Sequence, residues 1–183
     1  MSSSAFEVFN LKASFKLDER ALENAYYEKS RELHPDRVAR GDKSALLKSQ
    51  EKSAELNRAY QTLRDPEQRL EALLRMSGRL KDEKSEEGRE AIPMDLAEEF
   101  FGLQEAATED PAIASKKVRA FIDTVARSAG ADTAAIRELA ARIDWESAST
   151  PENEALIGEL LSRRKRRAYL LSLADNARKL GVA

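Results

Sequence analysis

Very few residues of this sequence can carry acid-base or redox chemistry. Among its 183 residues there is one histidine and no cysteine. Without cysteine the chain can form neither a disulfide nor a thiolate-held metal or iron-sulfur centre. The one histidine has no cysteine nucleophile to pair with, and alone it cannot form a set of metal ligands. We therefore expect no catalytic residue, no metal site, no cofactor and no enzymatic activity of its own.

The histidine belongs to the tripeptide His34-Pro35-Asp36. Proline restricts the backbone, the aspartate can accept charge-assisted hydrogen bonds, and the histidine ring has a polar edge that a partner can contact. A tip of this composition is suited to recognition by another protein. The alternative is an ordinary helix end, in which Pro35 terminates one helix and Asp36 caps the next element. The tripeptide alone leaves both interpretations open.

Two helices are predicted to present this tripeptide. Asp18 is placed to cap a helix that begins at Glu19 and is stopped by Pro35. A polar loop containing Gly41 separates it from a further helix over residues 43–63. The residues that predict the apolar face of this helix are Leu46, Leu47, Ala54, Leu56, Ala59, Tyr60 and Leu63. The pattern indicates an antiparallel helical hairpin with the tripeptide in its connection.

The remaining sequence predicts more helices and no strand. The prolines that precede or open them are Pro66, Pro93, Pro111 and Pro151. Gly130 predicts a break, after which Asp132 or Thr133 is placed to cap a separate helix. Several helices with short connections are typical of an antiparallel bundle. We therefore predict an all-α protein whose C-terminal part is a helical bundle.

Composition agrees with this fold class. The chain is 42% hydrophobic and 35% charged and has only 7 glycines and 5 prolines, which is typical of helix-rich proteins. No apolar run approaches the roughly 20 residues that span a bilayer, so no membrane role is expected and we predict a cytoplasmic location. The predicted organisation is a first domain over residues 1–79, a linker or bridging helix over 80–92, and a second domain over 93–183.

The first part of the chain resembles the J-domain family. The segments that carry the resemblance are Ala5 to Leu11, Phe15 to Asp18, His34 to Arg37, Lys52 to Pro66 and Arg69 to Leu74. In that family the tripeptide lies between the second and third helices and stimulates ATP hydrolysis by a DnaK-type chaperone. Since a cysteine-free helical domain follows, the chain looks most like the HscB-like co-chaperones of iron-sulfur cluster assembly. The resemblance implies an HscA/DnaK-type chaperone and an IscU-type scaffold as partners, and we expect a monomer.

The resemblance also implies which residues contact each partner. The residues expected to bind the chaperone are His34, Pro35, Asp36, Arg37 and Arg31. The residues expected to bind the scaffold are Leu96, Ala97, Phe100, Phe101, Gln104, Glu105 and Tyr169. Phe101 lies off the stripe formed by Leu96, Phe100 and Leu103, so it is a candidate exposed anchor. The alternative is that both phenylalanines belong to the core.

One feature of the sequence favours a different function. The basic run Arg163 to Arg167 suggests nucleic acid or an acidic membrane, but consecutive residues point all around a helix. We expect instead a solvated stretch that is partly neutralised by the acid-rich residues 82–110, and no nucleic-acid binding. Two further alternatives stay open at this point. One is a J-domain protein that delivers another client to a general DnaK, and the other is a purely structural helical assembly protein.

Overall fold

The computed structural model describes residues 4–33, 43–80, 94–109 and 111–180. These residues are almost wholly helical and include no strand, which confirms the all-α prediction. The helices are α1 (Ala5–Val8), α2 (Glu19–Glu32), α3 (Lys43–Arg64), α4 (Pro66–Met76), α5 (Met94–Glu109), α6 (Pro111–Arg142) and α7 (Pro151–Leu180), with a 3-10 turn at Trp145–Ser147.

The chain forms two compact units. Unit 1 consists of Met1–Glu83 together with Asp144–Thr150, and unit 2 consists of Lys84–Ile143 and Pro151–Ala183. Apart from Leu80, the predicted linker over 80–92 lies outside the described residues. Each unit has buried apolar residues of its own.

The helices of unit 1 begin where the sequence places capping residues. The Asp18 side chain accepts hydrogen bonds from the Arg20 and Ala21 amides at 2.9 and 3.1 Å, at the start of α2. Asp65 does the same for α4, accepting from the Gln68 amide at 2.8 Å, and Pro66 occupies the first turn. These caps satisfy amides that a helix start leaves without an acceptor.

Two short reversals in unit 1 use the left-handed backbone conformation. After α1, Asn10 has φ 54°, and after α4, Gly78 has φ 68°. In the second reversal the Gly78 and Arg79 amides donate to the Arg75 and Leu74 carbonyls at 3.0 and 2.9 Å. This is the Schellman arrangement, which ends a helix by satisfying its last carbonyls.

The core of unit 1 forms around α3, which contacts α1, α2 and α4. Its fully buried apolar side chains include Phe6, Leu22, Leu56, Leu63, Leu70, Leu73 and Leu74. Beside them lies a buried cation, Arg69, which is only 4% exposed and donates to the Phe15 carbonyl at 2.8 Å. Burial lowers the pKa of Arg69, while nearby Glu19 and Asp65 partly oppose the shift.

The predicted apolar face of α3 is wrong at its N-terminal end and at Ala54, which is exposed. Leu46 and Leu47 are 37% and 60% exposed, whereas Ser49 is only 7% exposed. Ser49 lies two turns before Leu56, so it continues the buried stripe of the helix in the 3.6-residue period. Towards the N-terminal end of α3, the buried stripe therefore consists of hydroxyl side chains instead of apolar ones.

Unit 2 is built on α6 and α7, which pair along most of their lengths with α5 packed against both. Contacts join Asp132 to Arg163 and Ser128 to Arg166, so sequence numbers rise on one helix as they fall on the other. The two helices are therefore antiparallel. The buried side chains of their shared core with α5 are Leu96, Leu103, Val118, Phe121, Val125, Ala129, Leu170, Leu173, Ala174 and Ala177.

The predicted helix break at Gly130 is wrong, because α6 is continuous from Pro111 to Arg142. Gly130 is exposed and a side chain there would meet open space. A glycine inside a helix costs only about 1 kcal/mol relative to alanine, which the paired face of α6 can offset. Neither expected capping residue caps a helix: the Thr133 hydroxyl donates to the Ala129 carbonyl at 2.9 Å, and Asp132 is buried.

The segment that connects α6 to α7 belongs to unit 1. It contains Trp145, the one tryptophan of the chain, which is only 7% exposed. Next to it the Glu146 carboxylate lies 3.8 Å from the Lys12 ammonium, also of unit 1. Nothing in the sequence pattern singled out this segment as part of the first unit.

Candidate functional site

The predicted recognition tip His34-Pro35-Asp36, with Arg37, lies outside the described residues. The structure does describe the helices on either side of it. α2 ends at Glu32, and Leu33 forms its C-terminal cap with φ −88° and ψ 4°, its amide donating to the Lys29 carbonyl at 3.0 Å. α3 begins at Lys43. The last described residue before the tripeptide is therefore held at a helix end.

Two aromatic residues join α2 to α3. The Tyr26 and Tyr60 rings stack with centroids 4.3 Å apart, and the Tyr26 hydroxyl donates to the Asn57 side-chain oxygen at 2.9 Å. Buried Leu22 on α2 and Leu56 on α3 lie in the core of the same unit. These contacts fix the hairpin that was predicted from the sequence.

The exposed side of α2 is mixed in charge. Arg31 is exposed, as expected for a residue that contacts a partner, and one turn earlier Tyr27 is 57% exposed. The Tyr27 hydroxyl donates to the Glu23 carboxylate at 3.5 Å. Residues 23, 27 and 31 follow the four-residue period of one helix face. Arg31 thus shares its face with an aromatic and an acidic side chain.

The predicted scaffold-binding residues of unit 2 divide into two groups. Leu96 is only 7% exposed, and Phe100 and Tyr169 are partly buried against the core of α5, α6 and α7. The Phe100 ring lies 6.1 Å from the Phe121 ring. Leu96 and Phe100 therefore attach α5 to this core. Ala97 is half-buried on the same helix.

Phe101, in contrast, is 67% exposed. It borders an open concavity of about 500 Å³. The residues that line this concavity are Glu98, Phe101, Gly102, Gln104 and Glu105. The alternative that both phenylalanines belong to the core therefore holds for Phe100 and not for Phe101. We call the exposed residues Met94, Glu98, Phe101, Gln104 and Glu105 the α5 face.

The sequence-based assignment missed part of the α5 face. Met94 is 77% exposed and lies seven residues before Phe101, which places both on one side of the helix. Glu98 lies between them on that side and lines the concavity. Met94 and Glu98 could have been predicted from their spacing, because both lie on the side of α5 opposite the Leu96 and Leu103 stripe.

The basic run on α7 is not the freely solvated stretch that we predicted. The Arg163 and Arg166 guanidinium groups lie 3.3 and 3.6 Å from one carboxylate oxygen of Asp132, which is 1% exposed. Arg167 donates to the Thr133 hydroxyl at 3.5 Å. Three of the five basic residues therefore face α6 and help to join two helices. The Arg163 and Arg166 charges are balanced by the buried carboxylate of Asp132 on α6.

Two kinds of feature are absent from the described part of the chain. It contains no group of three or more histidine, aspartate or glutamate side chains that could hold a metal ion. Within the same residues, no helix has both the length and the apolar character needed to cross a membrane.

Comparison with known proteins identifies the first unit. Residues 4–71 match the DnaJ domain, which confirms the expected J-domain at the N-terminus. The chain is similar to the chaperone HscB from Vibrio cholerae, with a TM-score of 0.50 and 26% identity over 95% of this chain and 99% of that one. Human co-chaperone protein HscB matches with a TM-score of 0.43 and 19% identity, over 100% of this chain and 86% of that one. The Vibrio cholerae match extends over unit 2 as well as unit 1.

Proposed function

We propose that this HscB-like J-domain co-chaperone stimulates ATP hydrolysis by an HscA/DnaK-type chaperone and delivers to it an IscU-type iron-sulfur cluster scaffold. The observation that carries the proposal is the pairing of a DnaJ domain over residues 4–71 with a likeness to HscB over 95% of the chain. J-domain co-chaperones regulate chaperones of the Hsp70 type and are not enzymes themselves. The activity proposed here is therefore measured on the partner.

In the proposed chaperone contact, His34, Pro35 and Asp36 form the tip and Arg31 and Arg37 flank it. Pro35 removes backbone freedom that would otherwise be lost on binding. The Asp36 carboxylate and the two guanidinium groups are suited to charge-assisted hydrogen bonds. The exposure of Arg31 beside Tyr27 supports this assignment.

In the proposed scaffold contact, Phe101 is the anchor of the α5 face. An exposed aromatic ring bordered by polar side chains resembles the hot spot and polar rim of a protein–protein interface. The ring loses water on binding, and the polar groups orient the partner. The border here consists of Glu98, Gln104 and Glu105. Leu96, Phe100 and Tyr169 support the face from the core side, and Ala97 completes its edge.

The chaperone contact is tested by His34→Gln in a single-turnover assay of ATP hydrolysis by the cognate chaperone. We expect the variant to lose stimulation, because glutamine lacks the imidazole ring. Lys16→Gln, at an exposed position of unit 1, is the matched control and should stimulate as the wild type does. Equal stimulation by His34→Gln and wild type would contradict the co-chaperone function.

The scaffold contact is tested by titrating the full chain with an IscU-type scaffold. Phe101→Ala is expected to weaken binding by about 2 kcal/mol, or about thirtyfold in Kd, the usual loss at an aromatic hot spot. Leu171→Ala removes another exposed large apolar side chain of unit 2, 51% exposed, and should bind as the wild type does. Without saturable binding of the wild-type chain, the function reduces to a J-domain protein with a different client.

A further inference from the structure

Two serine hydroxyls of α3 meet at one carbonyl of α2. Ser49 Oγ donates to the Leu33 carbonyl oxygen at 2.7 Å, and Ser53 Oγ donates to the same atom at 3.2 Å. The two serines are four residues apart and therefore lie on one side of α3. We call Ser49, Ser53 and the Leu33 carbonyl the serine clamp.

The serine clamp occupies an unusual place for polar side chains. Ser49 is only 7% exposed, and together with Ser53 it continues the stripe that further along α3 consists of Leu56 and Leu63. A buried hydroxyl costs free energy unless it is hydrogen-bonded, and serine is a weaker helix former than alanine or leucine. Apolar residues here would extend the core. The presence of hydroxyl side chains at these two positions is therefore best explained by their hydrogen bonds to the Leu33 carbonyl.

The atom that they hold is the last described carbonyl before the tripeptide. Leu33 caps α2. The last carbonyls of a helix receive no hydrogen bond from an amide of the same helix. A carbonyl oxygen can accept two hydrogen bonds, and α3 supplies both. Two hydrogen bonds to this one oxygen restrict the orientation of the Leu33 carbonyl group, at the last described residue before the tripeptide.

The hairpin has further contacts between α2 and α3 besides the serine clamp. α2 and α3 are already joined by the Tyr26–Tyr60 stack and by the Tyr26–Asn57 hydrogen bond. These contacts lie two turns of α2 before Leu33 and hold the helices together without restricting the helix end. The contacts that pair the two helices are thus separate from those that hold the end of α2, and each set can be altered by its own substitutions.

We propose that Ser49 and Ser53 are positioning residues: by holding the carbonyl at the end of α2, they support the contact that His34-Pro35-Asp36 makes with the chaperone. This inference rests on the proposed function of the tripeptide. It assigns to two residues of α3 a part in stimulating ATP hydrolysis, although neither needs to touch the chaperone. The effect should be on the maximal stimulation reached at saturating co-chaperone, because a misdirected tip still binds but fits the activated state poorly.

The test compares variants in the single-turnover assay over a range of co-chaperone concentrations. Ser49→Ala/Ser53→Ala is expected to lower maximal stimulation about tenfold, the fold-change that corresponds to a net hydrogen bond or two. Ser53→Ala alone, at a half-buried position, should lower it about threefold and is the variant to use if the double change impairs folding. Ser53→Thr retains the hydroxyl and should restore stimulation to near the wild-type level.

The matched control is Tyr26→Phe, which removes a hydrogen bond between the same two helices and leaves the serine clamp intact. It should lower Tm and leave maximal stimulation unchanged. If Tyr26→Phe reduces maximal stimulation as much as the double serine variant, the serines act only through general helix pairing and the inference is wrong.

The inference and the proposed function can fail independently. If the serine variants stimulate as the wild type does while His34→Gln does not, the serine clamp has no positioning role and the co-chaperone function stands. If His34→Gln stimulates normally, the function itself fails, and the inference fails with it.

Discussion

The two units use their buried polar side chains differently. In unit 1, Ser49 and Arg69 donate to main-chain carbonyls, at Leu33 and Phe15 respectively. In unit 2, buried Asp132 accepts from the Arg163 side chain across the α6–α7 pair. The first kind of contact fixes the path of the backbone where regular structure ends, and the second fixes the register of two long helices.

The largest effect is expected from Asp132→Ala in unit 2. Removing the carboxylate leaves Arg163 and Arg166 without their shared acceptor, and loss of one partner of a buried ion pair costs about 3 kcal/mol or more. We expect the lower end, because both guanidinium groups retain access to solvent. Chemical denaturation measures the free energy of unfolding, and hydrogen exchange should show lost protection in α6 and α7. Asp175→Ala, which removes an exposed ion pair with Arg178, should change stability by less than about 1 kcal/mol.

A smaller loss is expected from Arg69→Met in unit 1. Its guanidinium donates to the Phe15 and Arg64 carbonyls and lies over the Phe15 ring, 5.6 Å from the centroid. Methionine fills part of the volume but leaves both carbonyls without this donor, which should cost about 2 kcal/mol. Arg69→Lys should recover little, since a single ammonium cannot replace the planar fork. If the loss of hydrogen-exchange protection appears in unit 2 and not around Phe15, the division between the units is wrong.

Gly78→Ala in unit 1 should destabilise by about 1 kcal/mol. Its φ of 68° is a conformation that alanine adopts only with strain, although no atom obstructs a side chain there. Thermal unfolding measures the change as a lower Tm. A neutral result would mean that the reversal after α4 tolerates a different backbone conformation.

The smallest effect should have the opposite sign. Gly130→Ala in unit 2 is expected to stabilise by about 0.5 to 1 kcal/mol, because the position is an exposed helix interior with open space for a side chain. The same thermal unfolding experiment should show a higher Tm. A lower Tm would indicate that the helix is interrupted at Gly130 after all, as the sequence pattern had suggested.

Helix ends could be predicted from the sequence because their signals are local. Asp18 caps α2 and Pro66 lies in the first turn of α4, as the sequence predicts. Gly130 misled the prediction, because the energy that offsets a helix glycine comes from packing against α7, which sequence spacing does not reveal.

The partners of buried polar residues could not be predicted. Ser49 and Asp132 have ordinary sequence surroundings, and each becomes significant only through a residue on another helix, Leu33 and Arg163 respectively. The assignment of Phe100 and Phe101 was limited in the same way. Adjacent residues differ by about 100° around a helix, so the side of α5 that meets the core decides which ring is exposed.

The segment Asp144–Thr150 also determines how the protein can be divided for experiments. Since it belongs to unit 1, that unit is not one contiguous stretch of polypeptide. A fragment ending at residue 83 would omit Trp145 and Glu146, and with Glu146 the acceptor of the Lys12 ion pair. The fragment would also lack the only tryptophan of the chain. An N-terminal fragment would therefore lose both part of unit 1 and its intrinsic fluorescent probe.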